Sequence, residues 1–226
     1  ARDSRQLRKR TTRLANRAIA AAATWVAIAI TAVALARGLP AETFYTGDPG
    51  VKLVAARNAI ATPLRPLEIP LPSAEDVSLP YLDPFYVLHG EHAHAVTSEL
   101  FPLATAPFIA AIGIRGAYVL PALGFLLALA AAAWLGVLLE PKRNPAAIIA
   151  TALLGTPLLF YGLEFWEHAP AAGISALATC LFVRSSGQSR SQTRSFTDVE
   201  ATSAGILFGV AFLLRPEAAC MAVAVL

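Results

Sequence analysis

One short segment near the start of the chain combines a tight turn, a single carboxylate and the start of a helix. Residues 45–52 read Tyr-Thr-Gly-Asp-Pro-Gly-Val-Lys. Group transfer to a hydroxyl or an amine needs a carboxylate that accepts or orients the acceptor's proton. Asp48-Pro49 is typical of a helix N-cap followed by proline at N1, where the helix dipole favours an ionised carboxylate. We predict Asp48 as a catalytic base and Lys52 as a substrate ligand; the simpler interpretation is that Asp48 only caps a helix.

A second set of charged residues, Arg215 and Glu217, lies where an apolar run is interrupted by Pro216. Charged side chains at membrane depth are costly, so they usually face a cavity or one another. An arginine there can bind a phosphate through two parallel hydrogen bonds. Arg215 is therefore a predicted phosphate ligand and Glu217 a further substrate-binding residue. The alternative is a simple Arg–Glu pair at the membrane interface.

A short link between two apolar runs ends in Trp166-Glu167-His168. A loop this short keeps Glu167 and His168 near the ends of the helices on either side. We predict that both bind substrate, through sugar hydroxyls, a metal or an acceptor. Trp166 is typical of the aromatic belt at a membrane interface. The alternative is that Glu167 and His168 are solvated turn residues.

Three histidines, His89, His92 and His94, lie in one segment with Glu91 between them. Two imidazoles and a carboxylate can hold a divalent ion, and His92 and His94 share a face if the segment is a strand. Their spacing fits no strong metal motif, so a surface hairpin is the favoured interpretation. No cofactor is predicted, although a divalent metal stays open. The sequence contains no Gly-rich phosphate loop and no CxxC, HExxH or GxSxG motif.

The composition indicates what kind of protein positions these residues. The chain has 226 residues, of which 56% are hydrophobic and 15% charged, whereas soluble domains are about a quarter charged. Several runs approach the roughly 20 apolar residues that cross a bilayer. We predict an all-α polytopic membrane protein, a transmembrane helix bundle with a long extracytoplasmic first loop. Basic residues occupy short loops rather than one face, which argues against nucleic-acid binding.

The apolar runs define the predicted order of segments. The chain ends inside such a run, so we expect it to be the N-terminal part of a longer protein. The competing interpretation of the first run is a signal peptide, because residues 34–36 read Ala-Leu-Ala. The predicted segments are a basic cytoplasmic tail (1–17), first span (18–36), outer loop (37–116), second span (117–139), third span (145–163), fourth span (169–183), flexible cytoplasmic linker (184–200), and fifth span with the start of the next segment (201–226).

The outer loop is predicted to contain short elements of its own. A helix is expected from Asp48 to about Ala61. The prolines that follow exclude a regular helix. Phe85–Leu88 and His92–Thr97 are predicted to form a short hairpin. Phe101–Ile114 is apolar but contains two prolines, which predicts a short interfacial helix that re-enters the bundle.

The basic residues predict the orientation. The N-terminal tail is rich in arginine and lysine, which places it in the cytoplasm. Alternating the spans from there places Lys142, Arg143 and the arginines of the linker inside. Asp48, the hairpin, Glu167 and His168 fall outside, and Arg215 falls near the outer interface. All candidate reactive residues are thus predicted on the extracytoplasmic face of a cell-membrane protein.

The ordered set of motifs resembles the GT-C class of integral-membrane glycosyltransferases, the superfamily of protein O-mannosyltransferases and lipid A aminoarabinose transferases. The resemblance rests on a basic tail, one span, and motifs in a fixed order. It implies a polyprenyl-phosphate sugar donor, transfer on the extracytoplasmic face, and an acidic catalytic residue in the first outer loop, which maps onto Asp48. Many members have a second acid beside it, where this chain has Pro49, and Glu167 is the candidate to replace it. The motifs are Thr46–Lys52, Phe101-Pro102-Leu103, Ala106-Pro107-Phe108, Phe160-Tyr161, Phe165–His168 and Leu214–Glu217.

The expected function is therefore transfer of a sugar from a polyprenyl-phosphate donor to a glycan, lipid or protein acceptor. Membrane lipid is an expected partner and nucleic acid is not. Two alternatives stay open. A transporter or flippase would use the charged residues to line a substrate path and would show inverted repeats, of which the sequence has no sign. A non-catalytic membrane scaffold would tolerate loss of Asp48 and Arg215.

Overall fold

The computed structural model describes residues 25, 28, 37–38, 47–63, 68–70, 85–89, 92–188 and 194–225, and these residues are mostly helical. The predicted tail (1–17) lies outside the described residues, as does nearly all of the predicted first span (18–36). The elements discussed below belong to the predicted outer loop and to the segments that follow it.

The predicted outer loop contains two helices that pack on each other. Helix α1 spans Gly47–Ala61 and α2 spans Leu100–Ile112, close to the two ranges predicted. Because α1 begins at Gly47, Asp48 lies in its first turn rather than before it, which corrects the N-cap assignment. Helix α2 ends at Ile112, because Gly113 follows with a φ of 70°, a conformation that glycine adopts readily.

A small antiparallel sheet follows α1 in the chain. Strands β2 (Tyr86–His89) and β3 (His92–Ala95) form the hairpin expected from the sequence, with His89 opposite His92. A short strand β1 (Ile69–Pro70) pairs with the other edge of β3. Sequence reasoning missed β1, because a two-residue edge strand containing proline has no alternating pattern to detect.

Three helices of 21 residues form the main bundle. They are α3 (Val119–Leu139), α6 (His168–Gln188) and α7 (Arg194–Leu214). A six-residue 3₁₀ helix, Gly113–Tyr118, leads into α3. Helices α3 and α6 run in parallel, because Gly124 lies against Pro170 near their starts while Cys180 donates to the Ala131 carbonyl further along. Helix α7 runs antiparallel to α6, so its end returns to the start of α6.

The predicted third span, 145–163, is divided into two helices. Helix α4 spans Pro145–Gly155 and α5 spans Leu158–Leu163. Pro157 has no amide hydrogen to continue the ladder, and Thr156 is extended. Together α4 and α5 return antiparallel to α3, since Gly136 meets Ile148 and Gly162 meets Phe125.

Much of the predicted flexible linker, 184–200, is helical, which corrects that prediction. Helix α6 continues to Gln188 and α7 already begins at Arg194. An ion pair of 3.0 Å between Arg184 and Glu200 joins the two helices at this end. A polar composition does not prevent a helix from continuing when its backbone hydrogen bonds are satisfied internally. The chain resumes beyond Leu214 with the turn at residues 215–217 and helix α8 (Ala218–Val225).

Within the described residues, one run of consecutive helical elements, Leu100–Leu139, is long and apolar enough to cross a membrane. It comprises α2, the 3₁₀ helix and α3. Only 33% of its most apolar window is buried inside the protein, whereas the core helix of a soluble protein would be mostly buried. Helix α4 is apolar but shorter. The presence of five spans stays a prediction.

Candidate functional site

The structure brings all six predicted site residues together at one end of the bundle. We call them the charged cluster: Asp48, Lys52, Glu167, His168, Arg215 and Glu217. They come from three separate places in the chain, namely the first two turns of α1, the start of α6, and the turn between α7 and α8. The antiparallel pairing of α6 with α7 places the last two groups side by side.

Lys52 lies at the centre of the charged cluster. Its side chain is 0% exposed, and its ammonium nitrogen lies 2.6 Å from both Asp48 Oδ2 and Glu167 Oε2. The contact with Asp48 is a hydrogen bond within one turn of α1. The contact with Glu167 is an ion pair without hydrogen-bond alignment. A buried lysine is stable only when paired, so Lys52 fixes α1 onto the start of α6.

Arg215 extends the charged cluster toward the surface. Its Nη1 lies 3.6 Å from Glu167 Oε1, and its Nε and Nη2 donate to the two carboxylate oxygens of Glu217 at 3.3 and 2.7 Å. The Glu167 carboxylate therefore lies between the two cations, with one oxygen near Lys52 and the other near Arg215. Asp48 and Arg215 are thus linked through Lys52 and Glu167 although they lie far apart in sequence.

His168 is a neutral member of the charged cluster. Arg215 Nη1 lies within hydrogen-bond distance of both ring nitrogens, 3.0 Å from Nδ1 and 2.5 Å from Nε2. Because a guanidinium only donates hydrogen bonds, the imidazole accepts through its unprotonated nitrogen. Burial and the positive charge of Arg215 lower the pKa of His168 to about 4. The negative charge of Glu167 raises this pKa, but by a smaller amount. The ring stacks on Tyr161 and Trp166, with centroids 4.4 and 4.7 Å away. His168 therefore orients Arg215 by accepting from it and does not compete with it as a cation.

The segments that carry the charged cluster share one apolar core. Phe101 of α2 and Phe165 are both fully buried, with ring centroids 5.0 Å apart. Ala56 of α1 and Leu214 of α7 pack into the same layer. Residues adjacent to the charged cluster in sequence are thus anchored in a common core, which fixes the relative positions of α1, α6 and α7.

The histidines of the hairpin have contacts of their own with Glu68 and with one another. His92 Nε2 is 3.8 Å from a Glu68 carboxylate oxygen, and the rings of His89 and His94 meet edge to face. Glu91 lies outside the described residues. In the part of the chain that the structure describes, no group of three His, Cys, Asp or Glu side chains is arranged to hold a metal. The favoured interpretation of this segment as a hairpin is confirmed.

Two contacts of the site were not predicted from the sequence. Tyr161 was named in the Phe160-Tyr161 motif and placed in an apolar span, but its stacking on His168 was not predicted. Trp166 was assigned to the interfacial belt, yet its ring contacts both His168 and Tyr161. The signal in both cases was a group of aromatic residues beside Glu167 and His168, which a helix end can bring together.

The Asp48 carboxylate lies at an accessible edge of the charged cluster. The Asp48 side chain is 31% exposed, while its partner Lys52 is fully buried. Solvent or a substrate can therefore approach Asp48 while Lys52 holds it from the protein side. Arg215 is 27% exposed, so a carboxylate that can accept a proton and a guanidinium that can bind an anion belong to one connected site.

Comparisons with protein-family models, with curated proteins and with solved structures found no match.

Proposed function

We propose that the protein is an integral-membrane glycosyltransferase that transfers a sugar from a polyprenyl-phosphate donor to an acceptor on the extracytoplasmic face. The observation that carries this proposal is the link from Asp48 through Lys52 and Glu167 to Arg215. Sugar transfer from a phosphate needs both a proton acceptor and a positive group beside the leaving phosphate. In the charged cluster Asp48 is the proposed proton acceptor and Arg215 the proposed positive group.

In the proposed reaction, the bond between the sugar's anomeric carbon and the phosphate oxygen breaks, and the acceptor oxygen forms the new bond. The acceptor's proton passes to the Asp48 carboxylate. The departing polyprenyl phosphate retains the electron pair of the broken bond, and Arg215 stabilises its charge. Lys52 holds Asp48, Glu167 holds Lys52 and Arg215, and His168 orients the guanidinium by accepting its hydrogen bond.

The arrangement of apolar surface supports a membrane location. The apolar stretch Leu100–Leu139 is mostly unburied within the protein, so its remaining surface is free to contact lipid. Large apolar side chains are also exposed on other helices, among them Leu154 of α4 at 82% and, on α7, Ile206 at 63% and Leu213 at 60%. We infer a polytopic protein of the cell membrane with its N-terminus in the cytoplasm and the charged cluster outside.

The test is sugar transfer by the full-length protein in membranes supplied with a panel of polyprenyl-phosphate sugars. Asp48→Asn keeps the shape of the side chain but removes the proton acceptor. We expect it to lower the transfer rate by about 100-fold or more, at unchanged protein levels. Glu99→Gln is the matched control, because Glu99 is an exposed carboxylate just before α2 and outside the charged cluster.

Full transfer by Asp48→Asn would overturn the assignment of the base. If no donor supports transfer by the wild type, and Asp48→Asn leaves the surface glycans of the cell unchanged, the transferase proposal is wrong. The transporter and scaffold alternatives would then be the ones to pursue.

A further inference from the structure

The guanidinium of Arg215 is paired with the carboxylate of Glu217 on the side that would bind a phosphate. We propose that Glu217 occupies the phosphate-binding face of Arg215, and that an incoming lipid-linked phosphate must displace it. The identity of this ligand rests on the proposed function. Glu217 would then act as a gate that sets the affinity for the donor rather than as a ligand of the substrate.

The geometry of the pair supports displacement by a phosphate. Glu217 accepts from Nε and Nη2 of Arg215 through its two separate oxygens, at 3.3 and 2.7 Å. A phosphate diester also presents two oxygens to a guanidinium fork in this way. The carboxylate and a phosphate therefore compete for the same two donors.

The inner contacts of Arg215 are partly buried and fixed, whereas its outer contact is exposed. On the inner side it contacts Glu167 and His168, whose segment is fixed by buried Lys52 and Phe165. On the outer side Glu217 is 67% exposed and lies only two residues from Arg215, in the turn between α7 and α8. Exposed ion pairs contribute little to stability. Glu217 can rotate away while Arg215 stays in place.

The balance of charge also favours displacement. Lys52 and Arg215 carry two positive charges, while Asp48, Glu167 and Glu217 carry three negative ones and His168 is neutral, so the cluster sums to −1. A phosphate diester would bring a further negative charge next to Glu217. Movement of Glu217 into solvent reduces that repulsion and exposes the fork at the same time.

The experiment measures binding rather than transfer. The full-length protein in lipid nanodiscs is titrated with polyprenyl phosphate carrying no sugar, and the Kd is obtained from the rise in the unfolding midpoint. We expect Glu217→Gln to lower the Kd for polyprenyl phosphate about two- to fivefold, since an exposed ion pair no longer competes. Polyprenol, which lacks the phosphate, should bind wild type and variant equally. Inorganic phosphate as a third ligand shows whether the lipid chain is needed.

Two matched variants separate the gate from a general charge effect. Glu140→Gln removes an exposed carboxylate in the turn after α3, at the opposite end of the bundle, and should leave the Kd unchanged. Arg215→Lys keeps the charge but loses the fork of parallel donors. Adding Glu217→Gln to it should therefore lower the Kd for polyprenyl phosphate little further.

An unchanged or higher Kd in a folded Glu217→Gln variant would overturn the proposal. Equal tightening for polyprenol would overturn it too. Tighter phosphate binding without sugar transfer from any donor would support the gate while contradicting the transferase. Transfer that depends on Asp48, together with an unchanged Kd in Glu217→Gln, would support the transferase while contradicting the gate.

Discussion

Lys52 is the residue on which the integrity of the charged cluster depends. Lys52→Met retains most of the side-chain volume but leaves the largely buried Glu167 without its nearer cation. Removing one partner of a buried ion pair costs about 3 kcal/mol or more. We expect a clear fall in the thermal unfolding midpoint of the protein in nanodiscs.

Two comparisons make this expectation specific. Lys142→Met changes an exposed lysine in the turn after α3 and should leave the midpoint close to wild type. Adding Glu167→Gln to Lys52→Met should recover part of the loss, because the largely buried carboxylate that lost its nearer cation is then removed. An unchanged midpoint in Lys52→Met would mean that Lys52 does not fix α1 to α6.

The individual site residues could be predicted from the sequence because charges are conspicuous in apolar surroundings. Asp48, Glu167 and Arg215 each interrupt or border an apolar run. Their pairing could not be predicted, because it depends on how α1 lies across the starts of the other helices. The same limit hid the stacking of Tyr161 on His168, because the sequence does not show which way an aromatic side chain of an apolar helix points.

At the scale of elements, the parallel contact of α3 with α6 depends on glycine. A Cβ on Gly124 would overlap the backbone of Pro170, whereas one on Gly209 of α7 would meet nothing within 4 Å. We expect Gly124→Ala to destabilise the protein by about 1–3 kcal/mol through overpacking. The same substitution at Gly209 should be neutral or slightly stabilising, because alanine favours a helix.

Thermal unfolding of the two variants side by side tests this contact. If Gly124→Ala were as stable as Gly209→Ala, the close approach of α3 and α6 would be wrong. The start of α6 also carries Glu167 and His168, so a displaced α6 should weaken polyprenyl-phosphate binding as well.

Helix positions followed from the sequence more closely than helix ends did. Proline at the start of α1 and an apolar run over α3 indicated both elements to within a few residues. The break at Pro157 was missed, because a single apolar run was taken as one span. The helical ends of α6 and α7 were missed because polar residues such as Arg184 and Glu200 suggest a linker until their partners are known.

At the scale of the whole molecule, the bundle has two chemically different ends. Ser98 donates a hydrogen bond to the Leu213 carbonyl beside the charged cluster. Glu99, the next residue, therefore lies at the same end of the bundle as the cluster. Lys142 lies in the turn between α3 and α4, at the other end. The proposed orientation places the first outside the cell and the second in the cytoplasm. The positive-inside rule supports this assignment through the basic tail and the basic turn after α3.

Single cysteines at these two positions test the orientation directly. The background is Cys220→Ala, because Cys220 is exposed while Cys180 is buried. In intact cells we expect a membrane-impermeant maleimide to label Glu99→Cys and to leave Lys142→Cys unlabelled until the membrane is opened. Labelling of Lys142→Cys alone would invert the topology and place the charged cluster in the cytoplasm, which would exclude extracytoplasmic transfer. Labelling of both in intact cells would mean that the helices between them do not cross the membrane, because no barrier would then separate the two ends of α3.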